Sequence, residues 1–172
     1  MTTATFALIF GIAYLGAGLL GLIPAALMPP PADAPPTHVT LLYGYLLGLF
    51  PVNILHSAVH IAIGAWGLTA WREGTASAKV FARSIALFYG ALAVMGLIPG
   101  MSTLFGMLPM YGHDVWLHAG SAAIAAYFGW RSEVAAERRA SVAPDRRQRL
   151  LPVDQERRFG LADRRQMAYS GA

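Results

Sequence analysis

The sequence predicts an all-α membrane protein with four transmembrane helices arranged as two repeated helical hairpins, followed by an extended cytoplasmic tail. Three observations predict it. The 172 residues are 56% hydrophobic and only 13% charged, where a soluble domain carries about 25%. The charge is also uneven: between Met1 and Trp71 the only charged side chain is Asp33, too little to solvate a surface in water. Finally, the apolar residues gather into four runs of near-spanning length, and the second pair of runs repeats the first. Without cysteine there is neither a disulfide framework nor thiolate chemistry.

A span needs ~20 mostly apolar residues. The first is expected at about 3–27. It has no Lys or Arg before it and is longer than a signal-peptide core, so it is expected to stay as a span. The second is expected at 51–71, the third at 80–100 and the fourth at 114–130. The fourth is the shortest and carries Asp114 and His118, so it needs shelter from its neighbours. Between the first two spans, Pro29, Pro30, Pro31, Pro35 and Pro36 predict an extended, non-helical loop. Residues 41–50 are apolar but too short to cross, and are expected in the interface or dipping back toward the bundle.

Direction follows the Lys and Arg of short loops. The connection after the second span holds Arg72, Lys79 and Arg83. The connections at 28–45 and 101–113 hold no Lys or Arg. Both termini are therefore expected in the cytoplasm of a bacterium, with the bundle in its inner membrane. Trp66, Trp71 and Trp130 fall toward the cytoplasmic ends, where interfacial aromatics belong.

The repeat is specific. Gly21-Leu22-Ile23-Pro24 recurs as Gly96-Leu97-Ile98-Pro99, and Phe6, Ala7 and Tyr14 recur as Phe81, Ala82 and Tyr89 at the same offset. Gly48, Pro51 and His60 recur as Gly106, Pro109 and His118 at a second common offset. Two hairpins in one orientation imply a pseudo-two-fold axis along the membrane normal. Small residues (Gly11, Gly18 and Gly21; Gly64 and Gly67; Gly120, Ala123 and Ala126) are expected where helix backbones approach closely in lipid.

The chemistry-bearing residues are Asn53, His56 and His60 on the second span, and His113, Asp114 and His118 on the fourth. His56 and His60 share a helical face, as do Asp114 and His118. Asp114 stands where the repeat places His56. Ionisable groups in a membrane need partners. Three readings stay open: an interhelical hydrogen-bond network, a zinc, iron or copper site, and an axial ligand to haem or a chlorin pigment. Metalloprotease, serine-hydrolase, P-loop and dinucleotide-binding patterns are absent from the sequence, so no catalytic residue and no small-molecule substrate are expected.

Phe50-Pro51-Val52-Asn53 with His56, His60, Gly64 and Gly67-Leu68 forms one signature. Phe105-Gly106 with Pro109, Gly112, Asp114 and Trp116-Leu117-His118 forms a second. In these residues the chain resembles an uncharacterised bacterial four-helix integral membrane family, the 4383 series of domains of unknown function. The resemblance covers about residues 6–130 and implies a four-span fold without an assigned activity.

The sequence therefore divides into a bundle at 1–131 and a tail at 132–172. From residue 131 onward there are ten arginines and six acids. Arg138, Arg139, Arg146, Arg147, Arg157, Arg158, Arg164 and Arg165 are the expected contacts to anionic lipid or to a partner protein. The interspersed acids argue against nucleic acid. The reading these features favour is a non-catalytic accessory subunit of a larger membrane complex, photosynthetic or respiratory. The alternative is a small metal- or haem-binding membrane protein. A transporter is disfavoured, because no charged path reaches the cytoplasmic side.

Overall fold

A computed structural model describes residues 1–131. The tail, with its expected contacts from Arg138 to Arg165, lies outside the described residues. Among the described residues are four α-helices: α1 (Thr3–Leu20), α2 (Ile54–Glu73), α3 (Thr75–Leu97) and α4 (His113–Trp130). Three of them, α1, α2 and α3, are long and apolar enough to cross a membrane, and they make this a membrane protein.

Local chemistry sets the helix ends. The Thr2 hydroxyl accepts from the Thr5 amide at 3.1 Å to start α1, and the Asn53 side chain accepts from the His56 amide at 3.0 Å to start α2. Gly74 alone separates α2 from α3. Its φ of 99° lies where a side chain would be strained, which lets one helix end and the next begin within one residue. α1 stops at Leu20, short of the expected 27. Beyond Gly21 the chain forms a 3-10 turn at Pro24–Ala26 and then enters a strand. α2 starts at Ile54 rather than 51 because Pro51 and Val52 belong to a strand. α3 spans Thr75–Leu97 instead of 80–100, since helix formation begins directly after Gly74.

The all-α expectation needs one correction. Strands β1 (Leu27–Met28), β2 (Gly44–Leu46) and β3 (Phe50–Val52) form a small antiparallel sheet in that order. Residues 41–50, expected to lie flat or dip inward, build its middle and third strands. The sheet sits directly before α2 and pairs Leu27 with Leu46 and Leu46 with Phe50.

Packing is heaviest within two helix pairs, α1 with α2 and α3 with α4. Glycine makes the first pair close. A Cβ on Gly64 would lie 2.7 Å from the Leu15 Cα, one on Gly67 2.8 Å from the Gly11 Cα, and one on Gly18 2.7 Å from the Ser57 carbonyl oxygen. Lipid is as apolar as the helices, so close van der Waals approach replaces the hydrophobic drive. The second pair is clamped at its far end, where Arg83 Nε donates to the Gly129 carbonyl at 2.8 Å. Phe6, Phe81, Phe128, Ile85, Tyr14 and Tyr89 fill the centre. The expectation that Gly120 and Ala123 pack inside the bundle is overturned. Both are exposed, and a Cβ on Gly120 would meet nothing within 4 Å. The packed face of α4 runs through Ala125, Phe128 and Gly129 instead.

These contacts predict opposite outcomes at two helical glycines. Gly64→Ala should lower stability by about 1–3 kcal/mol, because the backbone of Leu15 must move. Gly120→Ala should stay within about 0.5 kcal/mol of the parent. Unfolding of the detergent-solubilised protein by increasing denaturing detergent measures both, and equal losses at the two sites would disprove the packing account.

Candidate functional site

α2 and α4 each bring a pair of polar residues, one turn apart, into the bundle beneath the sheet. His56, His60, Asp114 and His118 are all buried, between 1% and 5% exposed. One ring nitrogen of each of His56, His60 and His118 lies within 4.8 Å of the others. His56 Nε2 stands 3.7 Å from Asp114 Oδ2. The rings of His56 and His60 are 4.5 Å apart, and those of His56 and His118 6.2 Å. A cavity of about 100 Å³ borders all three histidines.

Two tyrosines that the sequence showed only as repeat markers form the wall. Tyr89 stacks on His118 at 4.8 Å and 14°. Tyr14 meets His60 edge-on at 5.2 Å, and the two tyrosines stack on each other at 5.2 Å. The Tyr14 hydroxyl donates to Ser121 Oγ at 2.8 Å. A tyrosine on α1 and its counterpart on α3, each one histidine-bearing helix away from the centre, was the available signal for this wall.

The polar balance is unusual. Both ring nitrogens of His60 and of His118, together with Asp114 Oδ2, are buried without a hydrogen-bond partner among the described residues, whereas His56 lies within reach of the Pro51 and Pro109 backbone. An unmet buried donor or acceptor costs about 1–3 kcal/mol, and native interiors leave few.

The other two expected site residues are elsewhere. His113 is exposed at the start of α4 and does not join the cluster. Asn53 is fully buried but acts as a knot. Its Nδ2 donates to the Met107 carbonyl at 2.8 Å and the Val39 carbonyl at 3.2 Å while its Oδ1 caps α2. It ties both outer connections to the helix that carries His56 and His60. His38 adds to this tie, its amide donating to the Gly106 carbonyl at 2.8 Å.

Residues related by the sequence repeat meet one another. At an offset of 75, Tyr14 touches Tyr89, and Phe6 lies 6.3 Å from Phe81. At an offset of 58, His56 faces Asp114, and His60 lies beside His118. The backbone repeats as well. Leu47 and Gly48 have φ of 54° and 73°, and Phe105 and Gly106 have 57° and 82°.

The sequence model of the domain of unknown function DUF4383 matches residues 4–131, which takes in the whole bundle and both signatures. The chain belongs to this family. No curated protein and no solved structure matches it. In this DUF4383 protein the polar cluster lies within the matched residues, and the match ends at residue 131.

Outside the helices, the Tyr43 hydroxyl donates to the Pro35 carbonyl at 3.2 Å and pairs with the Tyr111 hydroxyl, so Tyr111 donates to Tyr43. Burial first, and then this hydrogen bond, push the Tyr111 phenol well above its usual range. A raised folded-state value means the unfolded chain loses its proton first. Stability should therefore hold up to about pH 10 and fall above it. Tyr43→Phe combined with Tyr111→Phe should flatten that alkaline fall, as read from melting temperatures between pH 8 and 11. An unchanged slope in the double variant would count against the pairing.

Proposed function

We propose that this protein is a small bacterial inner-membrane protein whose four helices, two copies of one hairpin, hold a transition-metal ion on His56, His60 and His118. The observation that carries the reading is the set of unpartnered ring nitrogens, gathered from two helices within 4.8 Å. Buried imidazoles such as His60 and His118, with both ring nitrogens unmet, are costly as a structural network. A metal ion lowers that cost by taking one lone pair from each ring, leaving one N–H per ring. Zinc at ~2.0–2.1 Å from each nitrogen sets the nitrogens roughly 3.4 Å apart in tetrahedral geometry, which small ring rotations reach.

Asp114 fits either as a fourth ligand or as the carboxylate that orients His56, the outer-shell arrangement metal-bound histidines usually have. The adjoining cavity of about 100 Å³ leaves room for a metal-bound water. The chain has no thiolate ligand, and imidazole and carboxylate suit zinc, copper or iron. The cavity that borders all three histidines is far smaller than a haem or chlorin macrocycle.

The duplicated hairpin draws support from the pairs that meet at the centre and from the matching left-handed turns at Leu47-Gly48 and Phe105-Gly106. Residues related by a two-fold axis touch only if they lie on it. α4 has 18 residues and is shortened by its polar first turn, yet it packs along α3. Arg72, Lys79, Arg83 and Arg131 collect at the end away from the sheet, which supports cytoplasmic termini. The accessory-subunit expectation draws on the tail, outside the described residues; the described residues favour metal binding.

Protein purified from zinc- or copper-supplemented cells should carry stoichiometric metal by elemental analysis. Asp114→Asn should weaken binding about 10–100-fold, and His60→Ala with His118→Ala should abolish it. Added metal should raise the melting temperature of the parent alone, by about 2.7 kcal/mol of stability at a hundredfold excess over Kd. Metal-free protein that neither takes up nor is stabilised by any of the three ions would leave a hydrogen-bond network as the sole role of the cluster.

A further inference from the structure

Beyond the exchange of His56 for Asp114, the two halves of the bundle differ in how their seams are filled. The repeat pairs the seam between α1 and α4 with the seam between α3 and α2. On the α3 side, Phe88 and Leu92 fill the space and leave the small cavity of about 100 Å³. The residues at the same offset on α1 are Ala13 and Ala17. α1 and α4 accordingly touch only sparsely. A groove of about 450 Å³ opens between them, bordered by Phe10, Tyr14, Trp116, Gly120 and Ser121. A second hollow of about 320 Å³ continues along the same seam toward the sheet and reaches Asp114. Ala13, Ala17, Leu117 and His60 line both.

This seam has an apolar wall, three flat aromatic rings and very few polar atoms. Its polar groups are the Tyr14–Ser121 hydroxyl pair, Asp114 at the sheet end, and His60, which is 5% exposed and has both ring nitrogens buried and unpartnered. Small-molecule sites of about 300–1,000 Å³ have this make-up: apolar walls and a few placed polar groups. The seam opens beside α1, which is long and apolar enough to cross a membrane, so the occupant arrives dissolved in the membrane. An acyl chain would fill the volume but offers His60 no acceptor. A neighbouring helix would be held off by Trp116, which is 71% exposed. A flat ring bearing a carbonyl oxygen satisfies the aromatic walls and the imidazole together.

We propose that the α1–α4 seam binds the ring head group of a membrane-dissolved quinone, entered sideways from the lipid, with His60 donating a hydrogen bond to a ring carbonyl. The site shares His60 with the metal centre but does not need the metal: a neutral imidazole keeps one N–H whether or not its other nitrogen is coordinated. Repeat asymmetry explains why there is one such site, since Phe88 and Leu92 close the equivalent seam.

The test uses the full chain in phosphatidylcholine nanodiscs, with decylubiquinone as the probe and tryptophan fluorescence quenching as the readout. Quenching should saturate, and Trp116→Phe should remove most of it because the other three tryptophans lie elsewhere. His60→Leu should weaken binding about tenfold, the value of one hydrogen bond. Ala13→Phe with Ala17→Leu, which installs the side chains of the closed seam, should abolish saturable quenching. Gly120→Leu fills the groove from the opposite wall, at a position with no atom within 4 Å of an added Cβ, and should do the same. This second variant keeps the test decisive should the first fail to fold. Treatment with EDTA should leave quinone binding intact, so loss of the metal reading and loss of this one are separable. Quenching that never saturates, or that survives both filling variants, would overturn the proposal. So would equal competition by decylbenzene, which would mark an acyl-type apolar site. Cross-linking of Gly120→Cys in native membranes to a different protein would overturn it in favour of a partner helix.

Discussion

Polar groups inside a membrane have no water to fall back on, and the architecture around His56, His60, Asp114 and His118 follows from that constraint. Each group costs little only if something specific meets it. The two helices that carry them must therefore be held at fixed depth and rotation. Asn53 supplies the depth, by fastening the start of α2 to Val39 and Met107 in the two outer connections. The tyrosine stack supplies the rotation, since Tyr14 and Tyr89 press against each other while each rests on one histidine. Glycine-mediated contact between α1 and α2 then keeps Tyr14 close enough to reach Ser121 on α4.

The repeated sequence positions explain where the cluster lies. Residues 58 apart meet, His56 with Asp114 and His60 with His118, so each polar position of the first signature is matched by one in the second. Two such positions, one turn apart, give a four-residue cluster. Asp114, at the position the offset of 58 matches to His56, has an electrostatic meaning under the proposed metal reading. A divalent ion among neutral imidazoles keeps its full charge in a low-dielectric interior, where an uncompensated charge is severely penalised. One carboxylate halves the net charge of the site. The His56–Asp114 approach of 3.7 Å places that compensation beside the ligands.

Much of this was legible in the sequence because it is carried by periodicity and by repeated words. The spacing of His56 with His60 and of Asp114 with His118 fixes a shared face, and the Gly-Leu-Ile-Pro repeat aligns the halves well enough to put the two pairs opposite each other. What was not legible depends on the exact path of short segments. The strands at Leu27–Met28, Gly44–Leu46 and Phe50–Val52 have two or three residues each, too few to show alternation. They shorten α1 and delay α2 by reassigning apolar residues that look equally suited to a span. His113 lies one residue ahead of Asp114, and successive helical positions point about 100° apart, so adjacency in sequence carried it out of the cluster. Gly120 and Ala123 are small residues on the side of α4 away from its packed face, and composition alone does not tell packed from open faces.

The seam and the cluster are two consequences of one broken symmetry. Had α1 kept the bulk that α3 has at Phe88 and Leu92, both sides of the bundle would be sealed and all three histidines would face only the interior cavity. With Ala13 and Ala17 in those places, His60 alone among the three histidines borders both the inner cavity and the lipid-facing seam. Imidazole suits that position better than any other side chain, because its two nitrogens are chemically distinct. One can accept a metal while the other donates a hydrogen bond, and the second interaction fixes the tautomer that the first requires. Under the two proposals, an occupant of the seam would act on the metal ligand through this single ring.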